Sequence, residues 1–248
     1  MIDILIPLGA GSRINDQELR FCLRSVEKHL TGVGNVFIVG EKPNWLKNVI
    51  HIPFRESNNS WERSNNIYRK IMAGINYDGK LNIGLPISEM HTVTSSFLFM
   101  NDDHFILQNY EAEDFPYYHR GLINTNQYAF NQPQVKQMLQ TINLFDKPVK
   151  DFDIHCPIVY NKDLFRYAFL NKPWPEYGYG IKSVYCAEYD IEGEQIEDLK
   201  FREPVMKESI YLALAGRPWF STGDKCFKGA MLEVLNELFP NKSKYEND

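Results

Sequence analysis

The 248-residue sequence has no apolar run approaching the roughly 18 residues that a membrane-spanning helix requires, so no membrane span is expected. It is poor in cysteine. Cys22, Cys156, Cys186 and Cys226 lie far apart and form no Cys-x-x-Cys pair, which removes the usual signature of a zinc site or a dithiol redox centre. Reduced, buried thiols are the expectation. Positive charge is not in excess either: 27 Lys and Arg against 32 Asp and Glu give a net charge of -5, which excludes a surface basic all round and leaves room only for a local basic groove. Internal repeats and low-complexity tracts are missing. Met1-Ile2-Asp3-Ile4 enters a strand-like pattern without a basic leader, so a cytoplasmic location is expected.

What is present is ordinary globular composition, 44% hydrophobic and 24% charged, enough for one domain with a full core. The chain is organised around Ser95-Ser96-Phe97-Leu98-Phe99-Met100-Asn101-Asp102-Asp103-His104-Phe105-Ile106. The uncharged first half reads as a buried strand, and it ends in an amide, two carboxylates and an imidazole. The C-terminal edge of a strand is where open α/β sheets bind their ligands. Mg²⁺ or Mn²⁺ takes one or two carboxylates and completes its shell with phosphate oxygens and water, so nucleotide phosphates bridged by a divalent cation are the expected occupant. If the pleat persists, Asp102 and Asp103 point to opposite sides, and only one is then a direct ligand.

Ile2 to Pro7 reads as a first strand, and Leu8-Gly9-Ala10-Gly11-Ser12 as a turn whose glycines let backbone approach a ligand, although the full Gly-x-Gly-x-x-Gly fingerprint is not there. Residues 16–30 put Leu19, Cys22, Leu23, Val26 and Leu30 on one helix face, with Asn15 or Asp16 as N-cap. Strands are expected at 35–40 and 49–53. A helix over 60–75 buries Trp61, Ile67, Ile71 and Ile75; its Arg63, Asn66, Arg69 and Lys70 are open to either a solvated face or phosphate contact. Strands alternating with helices predict a parallel sheet with right-handed crossovers. Residues 78–94 and 107–134 read as loops, the second long enough for an active-site lid. A helix from Pro133 to about Phe145 follows, and another from Phe227 to Phe239 ends at Pro240. Residues 171–205, rich in Pro, Gly and Tyr, read as a loop region that shapes a specificity pocket.

A second informative stretch is Asp151-Phe152-Asp153-Ile154-His155-Cys156-Pro157. Its alternation predicts a half-buried strand with Asp153 and His155 on the polar face. His155 either completes a metal shell begun by Asp102 and Asp103 or is satisfied by a hydrogen bond.

Glu18 to Lys28, followed by Val36-Phe37-Ile38-Val39 and Pro43-Asn44-Trp45-Leu46, resembles the second conserved region of the Stealth proteins. These are sugar-phosphate transferases of bacterial capsules, related to the lysosomal GlcNAc-1-phosphotransferase. Phe97 to Phe105 is similar to the Asn-Asp-Asp motif that ends that region, and His155-Cys156-Pro157 to the His-x-Pro of the third. Gly223-Asp224 and Leu238 to Glu246 resemble the fourth. The resemblance implies an α/β fold that is GT-A-like (Rossmann-like), a mixed, mostly parallel sheet flanked by helices, in one domain over 1–248. Residues 1–106 would form the nucleotide-sugar-binding half and 107–248 the acceptor side. It also implies a UDP-sugar donor and a Mn or Mg cation, with Asn101, Asp102, Asp103 and His155 around metal and diphosphate and Asp224 as a further polar partner. Arg20 and Arg24 match the pattern, with structural and donor-contact roles both open. Stealth proteins open with a Val-Asp-Gly type turn where this chain has Pro7-Leu8-Gly9-Ala10-Gly11, a departure that favours plain glycosyl transfer over sugar-phosphate transfer.

The expected function is therefore metal-dependent glycosyl transfer from a nucleotide sugar to a glycan or other hydroxyl acceptor. Asp103 and His155 are the expected metal ligands. Leu8, Gly9, Gly11, Arg13, Arg63, Lys70, Asn101 and Asp102 are expected to hold the nucleotide, and Asp103, Asp224 and Asp153 to be catalytic, the base being Asp224, Asp153 or Glu176. Three other readings stay open: transfer to a hydroxymethylated base in viral DNA, for which segments near 117–130 and 166–185 would line a groove; a Stealth-type sugar-1-phosphate transferase; and a metal-dependent phosphoesterase.

Overall fold

A computed structural model describes residues 1–9, 12, 14–57, 62–79, 91–127 and 132–247, with the backbone alone at 63 and 127. In chain order the first half holds β1 (Ile2–Leu8), α1 (Gln17–His29), β2 (Leu30–Thr31), β3 (Val33–Gly40), β4 (Ile50–Ile52), α2 (Arg63–Ile75), β5 (Ser96–Phe99) and β6 (His104–Ile106). The second half holds β7 (Tyr110–Glu111), β8 (Tyr118–His119), α3 (Pro133–Ile142), β9 (Ile158–Asn161), α4 (Lys162–Phe169), α5 (Ile181–Glu188), β10 (Glu194–Gln195), β11 (Lys200–Phe201), α6 (Lys207–Leu214), β12 (Trp219–Thr222) and α7 (Ala230–Leu238).

The main sheet runs β4-β3-β1-β5-β9, parallel except for β9. Every residue of β1 is buried, as a central parallel strand covered on both faces requires. Its period of two divides the core. Ile2, Ile4, Ile6 and Leu8 pack with Leu19, Cys22, Leu23 and Val26 of α1, whereas Leu5 packs with Ile71 and Ile75 of α2. A Cβ on Gly74 would run into Leu5, so glycine lets α2 lie close on the sheet. A second sheet, β11-β12-β6, continues from the end of β5, with β6 antiparallel to β12. Among the described residues no helix is long and apolar enough to cross a membrane.

Strand order reverses beside β1: the chain steps from β1 to β3 and β4 on one side and reaches β5 on the other. The crevice beyond the carboxyl ends of β1 and β5 is thus a topological switch point, where open α/β sheets bind ligands.

Several expectations change. Asp16 precedes α1 with φ 52° and makes no side-chain cap. Residues 151–157 are irregular rather than a strand, which begins at Ile158. Most of the loop expected at 78–94 lies outside the described residues.

Arg20 and Arg24 serve the fold. The Glu246 carboxylate, fully shielded from solvent, accepts from Arg24 Nε at 2.7 Å and from Arg20 at 3.0 Å, and from Ser243 N–H at 2.9 Å. Burial alone would raise this carboxyl, but the Arg24, Ser243 and Arg20 donors hold it down to about 2. A depressed folded-state value contributes stability above the unfolded value of about 4.3, which is lost as pH falls toward 2. Glu246→Gln is expected to cost about 2–3 kcal/mol at pH 7 by urea unfolding. The gap to the unchanged protein should close as pH falls from 5 to about 2, and a gap independent of pH would contradict this role.

Candidate active site

β5 ends at Phe99, and Asn101-Asp102-Asp103 turns the chain into β6. The pleat does not persist, so the two carboxylates belong to a turn rather than to opposite strand faces. Asn101 N–H donates to His104 Nδ1 at 3.2 Å, and His104 N–H donates back to Asn101 O at 3.3 Å. Nδ1 therefore carries no proton. Burial, with Lys182, His155 and Lys200 nearby, lowers the His104 pKa well below its usual value, so the ring is neutral. Its Nε2 lies 3.9 Å from Asp103 Oδ1. His104 is fully buried and braces the turn that presents the acids.

A cleft of about 1220 Å³ opens above this turn. Pro7 and Gly9 from the end of β1 line it, as do Asp16 and Glu18 at the start of α1, and Asn101, Asp102, Asp103, His155 and Asp224. A smaller cavity of about 360 Å³ adjoins it, walled by α3 and by Tyr177, Tyr179 and Lys182. The two meet at Ile67, Asn101, His155 and Arg202, which line both.

Asp103 Oδ2 accepts from Lys200 Nζ at 2.7 Å. Asp102 is pushed well above the usual carboxylate range by burial, then by Asp103 and Glu18. His155 has its backbone N–H on Asp198 Oδ1 at 3.0 Å and its Nδ1 on Asp198 Oδ2 at 2.8 Å. Burial pushes Asp198 up, but the His155 hydrogen bonds bring it below its usual value, so it is an ionised, purely accepting partner. Nδ1 must then carry the proton, and Nε2 keeps its lone pair. Burial lowers the His155 pKa, and Asp198 only partly offsets this. A neutral imidazole with its other nitrogen on a carboxylate is the usual dress of a metal-binding histidine. Asp103 and His155 supply one oxygen and one nitrogen in the same cleft, a donor set that fits a divalent ion sharing its shell with phosphate oxygens. Among the described residues no group of three His, Cys, Asp or Glu that could hold a metal ion is assembled.

The remaining expected residues divide. Asp224, at the turn after β12, lines the cleft, and its carboxylate has no hydrogen-bond or ion-pair partner among the described residues. Asp153 lines the smaller cavity, but its oxygens accept from the N–H groups of Lys182 and Ser183 at 3.1 Å and from Ser183 Oγ at 2.6 Å. It anchors the first turn of α5 and is committed there. Lys70 is buried, with Nζ on Leu8 O at 2.6 Å and on Glu56, so it ties α2 to the end of β1 at the wall of the cleft, which it and Glu56 both line. The same bond uses the Leu8 carbonyl, and Leu8 is itself buried. Gly11 and Arg13 lie outside the described residues, as does the Arg63 side chain.

Sequence reasoning misses Asp198, Lys200 and Arg202. In Asp198-Leu199-Lys200-Phe201-Arg202 the charged residues alternate with Leu199 and Phe201, which pack on the core. That period of two is the signal of a strand with one polar face. It also misses Glu18, which is 8% exposed with Oε2 unpartnered. Burial pushes this carboxyl up to about 7, with Asp16, Asp224 and Asp103 adding to the shift. A raised folded-state value gives stability present below the unfolded value of about 4.3 and lost as pH rises through 7. Glu18→Gln is expected to stabilise the protein by about 2–3 kcal/mol at pH 8, about 5–10 °C in Tm, and by nothing at pH 4. Thermal unfolding at both pH values checks this, and an equal difference at both would contradict it.

No family model and no curated protein matches the sequence. Among solved structures the chain is similar to an active-site mutant of LgtC, with 12% identity over 99% of this chain and 98% of that one and a TM-score of 0.45. It is also similar to galactosyltransferase LgtC in complex with donor and acceptor sugar analogues, at 12% identity, the same coverage and a TM-score of 0.44. A third is the apo form of glycosyltransferase GlyE from Streptococcus pneumoniae, at 11% identity over 97% of this chain and 60% of that one, with a TM-score of 0.42. These similarities concern the course of the chain. The site residues are assigned from this chain's own geometry.

Proposed function

We propose that this chain is a GT-A-like glycosyltransferase that moves a sugar from a nucleotide sugar, a UDP-sugar, to a hydroxyl acceptor such as a glycan. The observation that carries the reading is the pair of cavities at the switch point, one large and acid-lined, one small, meeting at Asn101 and His155. The large cleft suits a nucleoside diphosphate and the small one the group that receives the sugar, with the anomeric carbon near their junction. Residues 1–106 supply most of the donor side, and 107–248 the walls of the acceptor side.

In the transfer, an acceptor oxygen bonds to the anomeric carbon while the bond from that carbon to the diphosphate oxygen breaks, and the hydroxyl proton passes to a base. Asp224 lines the cleft with no side-chain partner among the described residues, whereas Asp153 is bonded to the start of α5, which favours Asp224 over Asp153 as that base. Lys200 and Arg202 bring positive charge to the wall where negative charge gathers on the departing diphosphate. A Mn or Mg ion held by Asp103 and His155 would supply Lewis-acid stabilisation of the same leaving group. Asn101 and Asp102 stand beside these groups and would position the donor sugar. The open Nε2 of His155, held by Asp198, favours this reading over a bare acidic turn.

The test is release of UDP from a panel of UDP-sugars, with and without glycan acceptors. UDP release from one donor, faster with acceptor, is expected. Hydrolysis of simple phosphoesters with no turnover of any sugar nucleotide would contradict it and favour the phosphoesterase reading.

A further inference from the structure

Lys200 lines the cleft with its ammonium on Asp103. Its side chain is 10% exposed and that of Asp103 16%, so the 2.7 Å ion pair between them is largely withdrawn from water. Lys200 is held in place by its strand: it pairs with Ser221 of β12, and Ser221 in turn pairs with His104, the neighbour of Asp103. An ammonium is a compact point charge, able to sit where a small cation would sit on a carboxylate. Two residues earlier in the chain, just before β11, Asp198 holds His155. The segment 198–200 thus contacts both expected ligands of the cation.

Resting on the nucleotide-sugar reading of the cleft, we propose that Lys200 is a built-in counter-ion that competes with a divalent cation for Asp103. In the ligand-free protein the ammonium satisfies Asp103. A divalent ion must displace it, and then finds only Asp103 and His155 as protein ligands, so the ion binds the free protein weakly. It binds well once diphosphate oxygens fill its shell. The displaced ammonium passes from one anion to another, from Asp103 to the diphosphate in the same cleft. It spends little time without an opposite charge, which a buried cation requires.

The experiment measures Mn²⁺ binding to the nucleotide-free protein by electron paramagnetic resonance, comparing the unchanged chain with Lys200→Met and Lys200→Arg. Removing a unit charge from Asp103 is expected to tighten Mn²⁺ binding by about tenfold or more in Lys200→Met, with Lys200→Arg near the unchanged protein. Equal or weaker Mn²⁺ binding by Lys200→Met would overturn the proposal. Lys200→Gln makes the same comparison if the methionine variant does not fold. A second arm titrates UDP by calorimetry in EDTA. The unchanged protein is expected to bind, Lys200→Met to lose about tenfold or more, and Mn²⁺ to restore it. Undiminished UDP binding by Lys200→Met in EDTA would also overturn the proposal. Tighter Mn²⁺ binding with no UDP binding in any condition would uphold the competition and reject the nucleotide-sugar reading instead.

Discussion

Asp103→Ala is expected to lower turnover of the sugar nucleotide by about a thousandfold or more, with little donor hydrolysis left to measure. The carboxylate is the counter-charge to Lys200 and, on the proposed reading, would also be the oxygen ligand for a cation on the leaving diphosphate. Alanine removes both. Most of the loss should fall on kcat, because further negative charge develops on the diphosphate as the bond to the sugar breaks, with a smaller rise in KM from weaker donor binding. Unfolding should stay cooperative, since Asp103 sits in a turn and the core strand β5 ends before it. A cost of about 1–3 kcal/mol is expected from leaving Lys200 without its partner. Steady-state kinetics beside thermal unfolding separates the two effects. A folded Asp103→Ala variant with near-normal kcat would remove Asp103 from the chemistry.

Asp198→Ala is expected to cost about 10–100-fold in activity although Asp198 lines only a neighbouring surface pocket. Its carboxylate fixes which nitrogen of His155 carries the proton and how the ring is turned. Without it, either nitrogen can be protonated, and Nε2 presents a lone pair only part of the time. Burial favours the neutral ring and Asp198 opposes that effect, so the loss should persist from pH 7 to 8 rather than appear as a shifted pH optimum. Asp198→Asn is the informative companion: it keeps a hydrogen bond to Nδ1 but not the charge, and should lie between the two. Activity of Asp198→Ala equal to the unchanged protein would mean that His155 is held by its surroundings alone.

The elements whose pattern is long and periodic are those that sequence reasoning finds. β1, α1, β3, α2 and β5 all lie where alternation or helical spacing places them, because each buries a continuous apolar face. The acids after β5 are legible for the same reason: a charged pair that ends an uncharged strand has few places to be but the sheet edge. Asp153 misleads. Its alternation with Phe152 and Ile154 imitates a strand, while its carboxylate instead binds the start of α5, a contact set by residues about 30 positions away. Lys70 is legible only in part, since spacing on a helix does not tell a lysine that reaches solvent from one that lines the cleft while bonded to a β1 carbonyl. β11 escapes notice because it is two residues long and its alternation extends over only five residues, yet it carries Lys200. Glu18 escapes because its raised pKa comes first from burial, with Asp16, Asp224 and Asp103 adding to it, and only the folded chain sets that burial.

Thermal unfolding in the presence of nucleotides tests the central claim most directly, in Mn²⁺ and in EDTA. A ligand that binds only the native state at about 100 times its Kd adds about 2.7 kcal/mol of stability, or about 5–10 °C for a domain of this size. UDP or one UDP-sugar should produce that shift, larger with Mn²⁺ and much reduced in Asp103→Ala. No shift with any nucleotide or nucleotide sugar in either condition would contradict the assignment of the cleft.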